Sequence, residues 1–334
     1  MPSDFNSKTI LQYAELNEKY SPNKVIETYG QMTFSKLQSA GQPIEMLQKI
    51  NLKQLDKYVC FSNKHGIGFN YTINSACLSN YELTDEGILS IQKLIMDLYN
   101  IGIDTFTVTL PKIIEIIQSL NIKSKIVVST ICKVASAHMA IYYKNMNVSR
   151  IVLDVDVTRN FKEIKNISKI FGGDIELITN TSCIRGCPFK IFHYNANAHS
   201  KDFTEKTFHY YNDYCKAIKE KDALHYIKMN WIRPEDIPYY TELGVNYFKL
   251  QGRTNIARRN LVKTAEHYLS GEYFGNLLVL LELFKNGKAY KYYLDNKLLD
   301  GYVKTLRDSN HECTGICNTC SLCSDYFQKA LKSL

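Results

Sequence analysis

The sequence predicts an α/β fold of the (β/α) TIM-barrel-like type, complete or distorted and incomplete, and three observations point there. From His65 onward, short apolar and β-branched runs alternate with amphipathic stretches. Successive runs lie roughly 20 to 35 residues apart, enough for a strand, a crossover helix and a parallel return. Six or more such units follow one another, which favours a barrel over an open doubly wound sheet.

The elements justify themselves in order. Lys24 to Met32 (KVIETYGQM) reads as a first strand inside an otherwise polar, weakly patterned N-terminal segment, 1–60. Ile67 to Ser75 reads as a strand. Thr84 to Tyr99 reads as a helix with Thr84 as N-cap, although Gly87 stands where a capping-box acid would be. Thr105–Thr109, Lys125–Ser129, Arg150–Asp154 and Asp174–Thr179 follow as strands. Helices over Pro111–Ser119, Val134–Asn145 and Phe161–Phe171 separate them. Their apolar cores suit strands covered on both faces. Tyr226–Asn230 and Tyr247–Gln251 read as two further strands, with Pro234–Leu243 as a helix between them. The barrel-like domain is thus assigned to 61–265. A helical C-terminal segment, 266–334, contains helices over Tyr268–Asn286 and Asp325–Leu334 and a four-cysteine motif between them.

Composition is that of an ordinary soluble protein, with 45% hydrophobic and 22% charged residues among 334. No apolar run reaches the roughly 18 residues that span a bilayer, and the first residues carry no export-like apolar stretch, so a cytoplasmic setting is expected. The formal charge of +8, from 41 basic and 33 acidic residues, permits an anionic partner without demanding one. Basic residues crowd only at Arg253, Arg258 and Arg259.

The ten cysteines carry the most information. In a reducing compartment, closely spaced thiols read as metal ligands rather than disulfides. Cys313, Cys317, Cys320 and Cys323 fall within eleven residues, and Cys183 and Cys187 flank Ile-Arg-Gly just beyond a strand end. Such spacing lets sulfurs converge on a tetrahedral ion or a cluster corner. Pro188 then turns the chain away, and Arg185 and Lys190 can offset thiolate charge. Cys215, one helix further on, is a candidate third thiol. Cys60, Cys77 and Cys132 read as buried apolar thiols. His193 and His199 are candidate proton donors or ligands. Arg233, in Asn230-Trp-Ile-Arg-Pro-Glu-Asp236, and Arg253 follow strand ends and suit recognition of a carboxylate or phosphate. The C-terminal quartet matches the radical SAM spacing over its first three cysteines. It lies at the wrong end of the chain for that chemistry, and Thr319 stands where an aromatic is expected. A closed structural zinc site is the stronger rival there.

Three segments together resemble the collagenase-like peptidase family, number thirty-two of the unassigned U peptidases. They are Asn180-Thr-Ser-Cys183-Ile-Arg-Gly-Cys187-Pro188-Phe-Lys-Ile-Phe-His193, Trp231-Ile-Arg-Pro-Glu-Asp236, and Leu243-Gly-Val-Asn-Tyr-Phe-Lys-Leu-Gln-Gly-Arg253. The resemblance spans roughly residues 60 to 260. It implies a 4Fe–4S cluster, one or two per chain, and oxygen-independent hydroxylation of RNA or quinone precursors with a prephenate-like oxygen donor. By the same resemblance Cys183, Cys187 and Cys215 are cluster ligands and Arg253 holds the donor's carboxylate. The chain departs from the family in the spacing of its first two cysteines and has no thiol at the last ligand's place, where Trp231 and Ile232 occur. The fourth ligand then comes from the C-terminal quartet, or that quartet holds a centre of its own.

The reading is therefore an iron–sulfur enzyme. Its partners would be an anionic small-molecule donor, and RNA or a partner protein. Two alternatives stand beside it: a zinc-stabilised RNA- or protein-binding module, and a hydrolase as the family name implies. Against the hydrolase, there is no H-E-x-x-H motif and no Ser or Cys nucleophile with an evident base.

Overall fold

A computed structural model describes residues 1–33, 47–199, 205–253, 260–281, 291–308, 313 and 317–333. In chain order its elements are α1 (Ser7–Lys19), β1 (Glu27–Gly30), α2 (Leu52–Lys64), β2 (Gly68–Ile73), α3 (Asp85–Asn100), β3 (Thr105–Val108), α4 (Pro111–Ser119) and β4 (Lys125–Val128). There follow α5 (Ala137–Asn145), β5 (Arg150–Val152), α6 (Phe161–Phe171), β6 (Asp174–Ile178), α7 (Lys190–Ala198), α8 (Glu205–Lys221), α9 (His225–Lys228), α10 (Ile237–Thr241) and β7 (Tyr247–Lys249). Last come α11 (Leu261–Ser270), α12 (Leu277–Leu280), β8 (Tyr292–Leu294), α13 (Tyr302–Asp308), α14 (Leu322–Ala330) and β9 (Leu331–Ser333). Strands β1 to β7 pair in sequence order, all parallel, in one seven-stranded sheet.

The sheet is curled into a half-barrel wrapped by helices, the TIM-barrel-like architecture expected. Arg150 on β5 reaches across the concave side to Glu27 on β1, at 2.7 Å. At the two edges, the Tyr29 hydroxyl of β1 donates to the Leu250 carbonyl just past β7, at 3.0 Å. Alternation splits the strands into two faces. Phe69, Tyr71, Phe106, Val108, Ile126, Val128, Ile151 and Leu177 point outward into the main core with the helices. Glu27, Asn70, Thr107, Arg150, Glu176 and Lys249 line the inside. The expectation of strands apolar on both faces is thus corrected: the lumen is polar, apart from a small patch of Val127, Val152, Val155 and Ile178.

Local sequence explains the helices. Thr84 caps α3 as expected, its Oγ1 accepting from the Gly87 amide at 3.0 Å. A Cβ at Gly87 would come within 1.7 Å of the Tyr81 carbonyl oxygen, so the close approach of that turn excludes a capping-box acid. Asn51 and Gln54 form a complete capping box on α2. On α6, Asn160 caps the start, and Phe161, Ile164, Ile167 and Phe171 repeat on the buried face before Gly172 ends the helix in the left-handed region.

Several expectations are corrected. The expected first strand is β1, which heads the barrel sheet, but the N-terminal segment also holds α1 and most of α2. The predicted strand Tyr226–Asn230 is a helical turn. Asp222 accepts the Leu224 amide at 2.9 Å, and the Trp231 indole binds back to the Tyr226 carbonyl at 2.9 Å. Helix 134–145 starts only at Ala137, after a short 3-10 turn. The predicted helix Pro234–Leu243 is a 3-10 turn, Pro234–Asp236, followed by the five-residue α10. The predicted helix Tyr268–Asn286 is interrupted, because Gly271 terminates α11 at φ +78°. The final helix stops at Ala330, and β9 pairs antiparallel with β8. Among the described residues no helix is long and apolar enough to cross a membrane.

Candidate metal centre

The loop after β6 carries Cys183 and Cys187 to the carboxyl end of the sheet, and two carboxylates that follow β5 hold it there. Lys190, at the start of α7 and only 4% exposed, donates to Asp154 at 3.0 Å and to Asp156 at 2.5 Å. Asp156 also accepts the Gly186 amide at 3.0 Å and the Asn230 side chain at 2.9 Å. Burial works against the Lys190 charge, but the two carboxylates outweigh it and hold the pKa above the ordinary lysine value. The sulfur loop is therefore pinned by a charged latch.

Helix α8 brings a third thiol. Cys215 is near enough to Cys187 and Cys183 to feel their charge. Burial pushes the Cys215 thiol up to about 11, and burial likewise raises Cys183. One turn on from Cys215, on the same helical face, Lys219 points into the same space. Its ammonium donates to the Ser182 carbonyl at 2.6 Å. Burial lowers its pKa, and charges on Cys183, Cys215 and Cys187 would raise it. Among the described residues no carboxylate pairs with Lys219. Tyr194 completes the surroundings. Burial holds its phenol well above the usual range, reinforced by the charges of Cys183, Asp154, Asp156 and Cys187.

The C-terminal cysteines meet the barrel at two places. Arg185, midway between Cys183 and Cys187, donates to the Cys313 sulfur at 2.6 Å and to the Cys313 carbonyl at 3.3 Å. Cys323 sits 3.0 Å from the Tyr302 hydroxyl. That hydroxyl in turn accepts from Arg159, a buried guanidinium between the Trp231 and Tyr302 rings. Cys317 is exposed and Cys320 half-buried.

The other expected site residues are placed as follows. His193, on α7, stacks on Tyr211 of α8, ring centroids 5.4 Å apart, and His199 ends α7. Arg233 is 1% exposed and already committed: it grips Asp236 through two bonds of 2.8 and 2.9 Å, the Asn296 carbonyl at 2.7 Å and Asp300 at 3.0 Å. Arg253, just past β7, donates to Thr72 at 2.9 Å and to Gln31 at 3.4 Å, with its pKa lowered by burial. It borders a void of about 10 Å³, roughly one water, beside Ser3, Gly30 and Gln31. Arg258 and Arg259 lie outside the described residues. Cys132 is a packed thiol as expected, donating to the Thr109 carbonyl at 3.3 Å, whereas Cys60 is exposed on α2 rather than buried. Sequence reasoning missed Lys219, Asp154, Asp156 and Tyr194. The four-residue spacing from Cys215 to Lys219, and two acids directly after a strand, were the available signals.

The donor set suits a thiolate-held metal group. Near these thiols, the Lys219 ammonium donates to a neutral carbonyl, so negative charge on sulfur would be favoured beside it. Among the described residues, no three His, Cys, Asp or Glu side chains stand at coordinating distance of one point.

A family profile described as Peptidase family U32 matches residues 46–270, well over half of the chain. An uncharacterized protease of Methanocaldococcus jannaschii is 30% identical, over 99% of this chain and 97% of its own length. Among solved structures, the U32 peptidase Mk0906 superposes with a TM-score of 0.45 at 16% identity, covering 55% of this chain and 72% of the other. An O-GlcNAc hydrolase mutant from Thermobaculum terrenum does so with a TM-score of 0.37 at 10% identity, covering 54% and 46%.

Proposed function

The chain belongs to peptidase family U32, and on that premise we propose that it is an iron–sulfur enzyme of the family rather than a peptidase. Its reaction would be an oxygen-independent hydroxylation, or a related redox modification, of an RNA, a quinone precursor or another biosynthetic substrate. One observation carries the reading: Lys219 is set among Cys183, Cys187 and Cys215 with no carboxylate beside it among the described residues. A cysteine nucleophile would need a thiol poised to ionise next to a base, and Lys219 donates instead to the Ser182 carbonyl. Ionised thiols bound to iron, by contrast, neutralise the ammonium and need it in return.

Cys183, Cys187 and Cys215 would hold the cluster, which supplies electron transfer or polarisation of a substrate oxygen when bound. The Lys190 latch fixes the loop so that its two sulfurs keep their spacing. The Tyr194 phenol, its pKa raised by burial, can donate a hydrogen bond at its hydroxyl. Arg253, buried just past β7, would meet the carboxylate of a prephenate-like donor, with Thr72 and Gln31 orienting its guanidinium.

A deletion strain tests this. Its modified nucleosides and quinones should lack one hydroxylated species, restored by the wild-type gene and not by Cys183→Ser. An unchanged nucleoside and quinone profile contradicts the proposal.

A further inference from the structure

We infer that the amino-end mouth of the half-barrel is a binding site for a small zwitterion, of the class of a free α-amino acid. This site shares no residue with the thiol-lined end and does not depend on the metal reading above. Where the strands begin, the described residues border a cleft of about 590 Å³, within the range of small-molecule sites. The sequence opens it at β2. Gly68 pairs with Glu27 in the parallel register and borders the cleft without putting a side chain into it. A Cβ there would meet only ordinary contacts, the nearest 3.7 Å away at the Ile26 carbonyl oxygen. Room for a ligand, rather than a backbone requirement, is what the glycine supplies.

Charge in and around the cleft is divided between floor and rim. On the floor, Arg150 bonds Glu27 at 2.7 and 3.3 Å and Glu176 at 2.9 Å, and Lys249 stands 3.5 Å from Glu176, so two cations meet two carboxylates. The Arg150 guanidinium also lies 3.8 Å from the centre of the Tyr247 ring, which lines the cleft with it. The rim is not balanced in this way. Lys125, exposed at the start of β4, has no carboxylate partner among the described residues. Asp104, exposed just before β3, spends one oxygen on the Thr105 hydroxyl at 2.7 Å and has no partner for the other among the described residues. Thr105 is the register partner of Lys125, so both rim charges border the same stretch of the cleft, yet no ion pair joins them. A simple anion or cation would answer one rim charge and face the other as a like charge. A molecule carrying both signs answers each: its carboxylate accepts from the Lys125 ammonium, its own ammonium donates to Asp104, and no net charge is added above a balanced floor.

Isothermal calorimetry on the full-length chain at low salt tests this, with the standard L-amino acids as probes in turn and folding of each variant checked by circular dichroism. At least one amino acid should bind saturably, at one site per chain. Acetylating its amine or amidating its carboxylate should weaken binding by about tenfold or more, the worth of one charge-assisted bond. Lys125→Met should erase the preference for the acid over the amide and keep the preference for the free amine; Asp104→Asn should do the converse. Gly68→Leu, which fills the cleft, should abolish binding while the fold stays that of the wild type. Cys183→Ser should bind as the wild type does, whatever its iron content. Failure of every standard amino acid to bind saturably would overturn the inference. So would equal affinity for the free, acetylated and amidated forms, or wild-type affinity in Lys125→Met, Asp104→Asn or Gly68→Leu.

Discussion

The half-barrel holds two sets of cations with different partners: one set meets carboxylates, as Lys190 also does with Asp154 and Asp156, and the other meets none among the described residues. At the amino end, Arg150 is flanked by Glu27 and Glu176 at 2.7 and 2.9 Å, and Lys249 stands 3.5 Å from Glu176. Cation and carboxylate satisfy one another, with Asn70 and Thr107 absorbing what is left over. At the carboxyl end, Lys219, Arg185 and Arg159 are directed at thiols, a phenol and carbonyls, and among the described residues none of the three has a carboxylate partner. A neutralised network holds a sheet in shape. A set of cations facing titratable sulfur suits an anionic group, which is why we propose chemistry at this end.

Substitutions can break this contrast. The largest effect expected is on metal: Cys183→Ser should abolish cluster binding while circular dichroism stays that of the wild type, measured as iron per chain. Next comes Arg150→Met, which leaves Glu27 and Glu176 buried without their cation. Urea denaturation should show a loss of about 3–5 kcal/mol, with iron content unchanged. If instead Arg150→Met empties the metal site, the two ends are not independent.

Acid offers a third test of the amino end. Burial opposes the Glu176 charge, but Lys249 and Arg150 outweigh it and hold the pKa below the ordinary 4.5. A depressed carboxyl stabilises the fold above its unfolded pKa, and that contribution disappears as pH falls through the lower folded value. Stability should therefore hold down to about pH 4.5 and then fall, and Glu176→Gln should flatten that fall. A smaller effect is expected at the helix cap, where Thr84→Ala should cost about 1 kcal/mol in the same denaturation assay. Smallest of all, Cys132→Ser should leave iron content unchanged, because that thiol is turned to the Thr109 carbonyl.

The barrel was legible in the sequence because strand and helix periods recur there with ordinary punctuation, and Thr84, Pro111 and Gly172 stand where the caps and stops require them. What escaped has physical reasons. Helices α1 and α2 were hidden because their exposed faces dominate a short polar stretch. The stretch Tyr226–Asn230 has the apolar content of a strand, but Arg159 takes the carbonyls of Ile227 and Met229 that a sheet would use, at 3.1 and 2.6 Å. The polar lumen was missed because Glu27, Arg150 and Glu176 are more than a hundred residues apart at the extreme, so no local window contains the network. At the site, the position of Cys183 and Cys187 on one loop after β6 was legible from the sequence, whereas the meeting of Arg185 with Cys313 depends on how the C-terminal segment folds back.

The most direct measurement is iron and acid-labile sulfide per chain in protein purified and kept without oxygen. About four of each, in a brown protein, is the result expected from thiolates gathered around Lys219. A colourless protein free of iron, or one carrying zinc alone, would contradict it.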